Sequence, residues 1–260
     1  MIYFISLILA FFTFATPVQA IYNPTSVPNN EYGIHIVDTN NVADVIPLVN
    51  STAGDWGYVT MVLSDAERDH DRWQNMFNQM RRLHLIPIVR LATHVENAVW
   101  VKPTKDRFYE IVQLLNSLNW PTENRYIILY NEPNHANEWG GDLNPEEYAD
   151  DLVTFGTALK QANSDFFILP AGLDASAASD GAAMDEAEYL RRMIAAKPEI
   201  LTRIDGWTSH SYPNPGFSGS PYAIGRGTLT TYQWELSYLS SLGLTKKLPV
   251  FITETGWQHS

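Results

Sequence analysis

The chain has no cysteine in its 260 residues. Disulfides, thiolate metal sites and cysteine nucleophiles are therefore excluded, and the redox compartment leaves no mark on the sequence. Positive charge is scarce: 17 Lys and Arg face 29 Asp and Glu, for a net charge of −12. With no basic run and no Gly-rich phosphate loop, nucleic acid and anionic membranes are poor partners. A neutral polyol such as a sugar suits an acidic surface equally well. The seven histidines form neither HExxH nor an i, i+4 pair, so no metal site is expected. A G-x-S-x-G nucleophile elbow is also missing, which removes the serine hydrolase reading.

Long apolar runs are lacking too, with one exception. Residues 1 to 20 read MIYFISLILAFFTFATPVQA, an apolar core from Ile2 to Phe14 followed by a Val18-Gln19-Ala20 that resembles a small-residue cleavage site. The run is short for a membrane span, and no Lys or Arg precedes it. It predicts a cleaved export signal or an uncleaved anchor, hence a secreted, cell-surface or periplasmic protein. Residues 21 to 31, with Pro24, Pro28 and Asn29-Asn30, predict a linker.

From Tyr32 onward, a 45% hydrophobic chain supplies enough apolar material for one large core. Strand-like runs alternate with amphipathic stretches. The runs are Gly33 to Val37, Tyr58 to Leu63, Ile86 to Leu91, Tyr126 to Tyr130, Phe166 to Leu169, Ile204 to Ser209 and Val250 to Thr253. Between them lie apolar faces at helical spacing, such as Trp73, Met76, Phe77, Met80 and Leu83. Asn144-Pro145-Glu146-Glu147 reads as a capped helix start. Seven β segments separated by helices predict parallel βαβ repeats, in an α/β domain over 32–260.

Two of the strands end alike. Tyr126 to His135, YIILYNEPNH, is a continuous apolar run that stops in Asn131, Glu132 and Pro133. Such a run predicts a strand buried on both faces. Pro133 ends it and biases Glu132 toward extended backbone. Val250 to Trp257, VFITETGW, repeats the design with Glu254. Asp38, Arg90 and His210 also fall at the C-terminal ends of strands. A barrel would gather all of these on one rim, whereas an open sheet would gather them at a switch point.

These residues give the chain a resemblance to the clan A glycoside hydrolases, the (β/α)8 retaining enzymes that include families 5 and 39. The clan places Asn-Glu after its fourth strand and a nucleophilic Glu after its seventh, matching Asn131-Glu132 and Glu254. The resemblance spans Tyr32 to Trp257. It implies a (β/α)8 barrel that cleaves a β-linked oligo- or polysaccharide without a cofactor. Glu132 would be the general acid/base and Glu254 the nucleophile, their carboxyl groups about 5–5.5 Å apart. By the same resemblance Asn131 would bond the sugar 2-hydroxyl, Tyr212 the nucleophile, and Arg90 would hold that nucleophile ionised. His210, in a His-x-Tyr with Tyr212, joins the expected site. Trp139 and Trp257, in the loops after the two glutamates, are expected as sugar-stacking faces. His94, Asp38 and Asp174 are expected to contact hydroxyls.

Two alternatives stay open on the sequence. One is a barrel kept for sugar binding or as a scaffold, against which the intact Asn131, Glu132 and Glu254 speak. The other is an aldolase-type barrel, which should carry a strand-borne lysine; Lys246 and Lys247 sit at the wrong end of the seventh strand. An eighth strand is also lacking. The chain stops three residues after Trp257, so the sequence predicts a barrel truncated after its seventh strand, a fragment of a longer protein.

Overall fold

Each long strand divides its side chains between two cores, because successive residues point to opposite faces. In the computed structural model, which describes residues 21–51 and 54–258, Ile86 and Ile88 face an inner cluster. Leu85, Val89 and Leu91 of the same strand face an outer one. The same split places Tyr58, Tyr126, Ile128, Phe167 and Leu169 inside, and Val59, Met61, Ile127, Leu129 and Ile168 against the helices. The strands are thus buried on both faces, as their unbroken apolar runs predict. The export reading of residues 1–20 lies outside the described residues.

Seven parallel strands carry the architecture: β1 (Gly33–Ile36), β2 (Gly57–Ser64), β3 (Leu85–Ala92), β4 (Arg125–Leu129), β5 (Phe166–Pro170), β6 (Trp207–His210) and β7 (Val250–Glu254). The first five form one sheet in sequence order, and β6 pairs with β7. The two sheets are joined where Asp205 donates its backbone N–H to Ile168 O at 2.8 Å, and where Thr208 Oγ1 donates to Pro170 O at 2.7 Å. The helices are α1 (Ile46–Val49), α2 (His70–Arg82), α3 (Lys105–Ser117), α4 (Pro145–Ala162), α5 (Glu186–Ala196), α6 (Ile200–Arg203) and α7 (Thr231–Ser241). A two-residue hairpin, Val95–Glu96 with Val99–Trp100, and the short α6 were not legible in the apolar pattern.

Helix starts follow the cap chemistry. Asn144 accepts from Glu147 N ahead of Pro145, and Asp69 accepts from Arg72 N. The sheet curls until its ends see one another. Phe251 of β7 packs edge-on against Tyr58 of β2, with ring centroids 6.2 Å apart, and tilts onto Tyr126 of β4 at 5.5 Å. Among the described residues no strand lies between β1 and β7. A cavity of about 650 Å³ runs there instead, lined by Gly33, His35, Phe251 and Thr253. The fold is thus an α/β barrel, open between β1 and β7 over the described residues. Residues 21–31 dock against it: Tyr22 exchanges backbone hydrogen bonds with the Asn124 amide, just ahead of β4.

The outer core is tightest where α3 meets α4. Phe108 and Phe155 stack with centroids 3.8 Å apart, and neither is appreciably exposed. Phe155→Ala should lower the unfolding free energy by about 3–5 kcal/mol, read from urea denaturation.

Candidate active site

The inner face of β3 carries Ile86, Ile88 and then Arg90, so alternation alone delivers a guanidinium to the top of the barrel interior. The inner face of β1 delivers His35 in the same way. On β4 the chain leaves the sheet at Leu129, and Tyr130 and Glu132 take left-handed backbone with φ of +73° and +32°. The extended Glu132 expected from Pro133 is not found. Glu132 N instead donates to Gly172 O at 3.0 Å, and His135 N closes back onto Glu132 O at 2.9 Å. Those bonds hold a backbone shape that bulky residues rarely adopt, at a cost of order 1–3 kcal/mol each.

Glu254 arrives from β7 through a register slip. Ser209 pairs with Ile252, but His210 pairs with Glu254. Arg90 Nη1 donates to Glu254 Oε1 at 2.8 Å and also to Asn131 Oδ1. Tyr212 Oη donates to Glu254 Oε2 at 3.2 Å. Burial and the adjacent Glu254 carboxylate push that phenol up to about 12, so it remains a donor. His210, buried, places Nδ1 2.7 Å from Glu132 Oε1 and 3.8 Å from Glu254 Oε2. One oxygen each of Glu132 and Glu254 and one His210 nitrogen all lie within 4.8 Å of one another. Three such donors would begin a cation site, but the Arg90 guanidinium already supplies positive charge to this group.

The structure brings Glu132, Glu254, Asn131, Arg90, His210 and Tyr212 together. It treats the other expected residues differently. Trp139 is 1% exposed and packs edge-on against Tyr130 and Tyr148, with its indole N–H directed at Glu147. It is core, not a sugar face, because the left-handed Tyr130 turns its ring outward to meet it. Asp38 caps the short 3-10 turn Thr39–Ala43 through Asn40 N. His94 has both ring nitrogens on carboxylates, those of Asp65 and Glu96, at 3.1 Å. Neither side chain has a partner in the glutamate cluster. Trp257 is 51% exposed, with its indole N–H on Gly219 O.

Several residues near the site were not singled out in the sequence. Burial, then the Arg90 cation, keep the His35 imidazole below its usual value. A polar residue inside an apolar strand run is a signal the sequence does carry for His35, as it does for Arg90. Phe217 is 47% exposed and edge-on to Tyr212 at 4.9 Å, and its carbonyl accepts from Gln258 N. It stands beside Trp257 on the rim and comes from a long loop without periodicity. Glu138 ends the short 3-10 turn Ala136–Glu138; burial and then the nearby Glu132 charge raise its carboxyl, against the lowering effect of Asn131. Asp174, which the sequence did mark as a hydroxyl contact, pairs with His135 at 2.9 Å. Burial would raise the Asp174 carboxyl, but hydrogen bonds from His135 and Ser176 outweigh it and hold it at about 2. The Asp174 bond, opposed by burial and aided by Glu132, raises His135.

No protein-family model matches the sequence, and no curated protein matches it either. Solved structures do match. The β-mannanase from Thermomonospora fusca aligns over 86% of this chain and 68% of its own, at 14% identity and a TM-score of 0.52. The catalytic domain of a mannanase from Streptomyces sp. SirexAA-E aligns over 86% of this chain and 65% of its own, at 17% identity and a TM-score of 0.51. BuGH86 in complex with neoagarooctaose aligns over 88% of this chain and 47% of its own, at 14% identity and a TM-score of 0.52. The chain therefore spans between about half and two thirds of these proteins. At such identities the likeness establishes the fold alone, an α/β barrel like those of these neighbours.

Gly172 separates the Glu132 backbone from the His210 ring, and a Cβ there would lie 2.3 Å from His210 Cδ2. Gly172→Ala should displace His210 from Glu132 and reduce turnover of any substrate while leaving the circular dichroism spectrum intact. The His135–Asp174 pair has its own pH signature. A carboxyl lowered to about 2 adds stability above its ordinary 3.8, lost as pH falls through the lowered value. A raised histidine adds stability below 6.5, lost as pH rises through the raised value. The melting temperature of the wild type should thus exceed that of Asp174→Asn most in the window from 3.8 to 6.5, the gap narrowing on both sides.

Proposed function

We propose that this chain is a retaining glycoside hydrolase acting on a β-linked glycan, with Glu254 as nucleophile and Glu132 as general acid/base. The observation that carries this is the facing pair itself: the two carboxyl groups approach within 4.8 Å on one rim of the barrel. A retaining pair stands about 5–5.5 Å apart, whereas an inverting pair needs about 6.5–9.5 Å to admit a water between sugar and base. Their surroundings also differ in the sense the roles require. Glu254 accepts from a cation and a phenol, Arg90 and Tyr212, which fix both of its oxygens in the cleft. Among the described residues, the Glu132 carboxyl has one side-chain hydrogen-bond partner, the neutral-capable ring of His210 at 2.7 Å, and no cation in direct contact.

In the first step a Glu254 oxygen bonds to the anomeric carbon as the glycosidic C–O bond breaks, and Glu132 gives its proton to the departing oxygen. In the second, Glu132 takes a proton from water, the water oxygen bonds to the same carbon, and Glu254 leaves as carboxylate. Asn131 has its Oδ1 on Arg90 and turns its amide toward the Glu138 carboxyl, and its remaining N–H is the donor for the sugar 2-hydroxyl. Trp257 and Phe217 offer apolar faces to pyranose rings at the rim. Mannans are the first substrates to test, since two of the structural neighbours are mannanases and one T. fusca structure is a mannohexaose complex. Export through residues 1–20 would bring the protein to such polysaccharides.

Glu254→Ala should abolish hydrolysis, and azide should restore it with a glycosyl azide of inverted configuration as product. Glu132→Ala should lower kcat/KM by roughly 10²–10⁴-fold on natural glycan, and far less in the first step on substrates with good leaving groups. A chromatographic glycan panel with mannan and agarose oligosaccharides reads both. Near-normal rates in both variants would overturn the assignment.

A further inference from the structure

Behind β6 two acidic side chains meet in the core. Glu186 lies in the first turn of α5 and Glu235 in α7, and each is 0% exposed. Glu235 Oε2 accepts from the indole N–H of Trp207 at 3.0 Å. Among the described residues, no donor in good hydrogen-bond geometry reaches Glu235 Oε1 or either oxygen of Glu186, although the Ser209 hydroxyl lies close enough to lower the Glu235 carboxyl. The nearest cation, Arg226, holds its Nε 3.4 Å from Glu186 Oε2 but out of hydrogen-bond alignment. Its Nη1 is given to Asp185 at 2.7 Å, and its guanidinium lies over Trp234 at 5.0 Å.

Three buried carboxyl oxygens without a well-aligned donor are costly, and two neighbouring buried carboxylates cannot both stay ionised. One proton resolves most of this. Glu235 has a donor already and is the better anion; Glu186 Oε2 faces Arg226, which leaves Glu186 Oε1 to carry the hydrogen. We propose that Glu186 is a neutral acid donating to Glu235 Oε1, and that this pair is a positioning device for His210. Glu235 holds Trp207 at the start of β6, and β6 ends in the histidine bonded to Glu132. The charged and titratable groups facing the pair are Asp185 from the cap of α5, Arg226 from the loop before α7, and His210 from β6. Burial raises both carboxyl groups. The folded chain then holds a proton that the unfolded chain releases. Its stabilising effect is complete below the ordinary carboxyl range and is lost as pH rises through the raised value.

The link to turnover rests on the glycosidase reading; the shared proton does not, and the two are measured separately. Difference infrared spectra of the full chain at neutral pH should show a protonated-carboxyl C=O band that vanishes in Glu186→Gln. Glutamine keeps a donor toward Glu235, so this variant should melt close to wild type at neutral pH and lose less stability toward alkaline pH. Glu186→Ala leaves Glu235 buried without that donor; it should melt lower and, on any glycan the wild type cleaves, lose kcat more than Glu186→Gln does. Absence of the band in the wild type, its persistence in Glu186→Gln, or equal melting of the Ala and Gln variants would overturn the shared proton. Equal kcat in the two variants would overturn the positioning role alone. A wild type that cleaves no glycan yet shows the band would overturn the glycosidase reading and the turnover link, leaving the pair standing.

Discussion

The Arg90–Glu254 contact spans the barrel from the third strand to the seventh, and the site is arranged around it. Its two side chains are mostly buried, at 17% and 23% exposure, so the pair is screened far less than a surface bridge would be. Such a pair adds little net stability once desolvation is counted, and its worth is geometric. One guanidinium nitrogen serves both Glu254 and Asn131, which ties the ends of β4 and β7 to a single point. The aromatic contacts of Phe251 with Tyr58 and Tyr126 perform the same crossing lower in the interior. Together they make the curvature of the sheet a condition of the chemistry: a flatter sheet would part the two glutamates.

The inner and outer cores are what let polar groups reach that point at all. Alternation commits every second residue of a strand to the interior, so a single Arg or His at an inner position near the strand end is delivered without a loop. Loops then add what alternation cannot. Tyr212 follows the sixth strand by two residues and reaches Glu254; Gly172 follows the fifth and makes room for the His210 ring.

The same distinction explains how much was legible in the sequence. The seven strands and their order were readable because buried parallel strands are continuous apolar runs, and no boundary shifted by more than three residues. Glu132, Glu254, Arg90, His210 and Tyr212 were readable because each sits on a strand or within three residues of its end. Trp139 misled because position in a catalytic loop says nothing about rotation; the left-handed Tyr130 turned that segment into the helix layer. Asp38 and His94 misled because short polar side chains at strand ends more often cap turns or join ion pairs. Phe217 and the Glu186–Glu235 contact were hidden for opposite reasons. The first lies in a loop with no period, and the second joins residues 49 positions apart on two helices.

The left-handed residues on either side of Asn131 bear on how the molecule ages under heat. Their conformation is held from outside, by Gly172 O and by the turn to His135, rather than by their own preference. Local opening of that turn releases strain that global unfolding would release as well, but it breaks far fewer contacts. The carboxyl geometry should therefore decay at temperatures where the helices and the aromatic interior are still intact. Heat would first leave a folded barrel with a disarmed rim, and cooling would let the turn re-form within the standing scaffold.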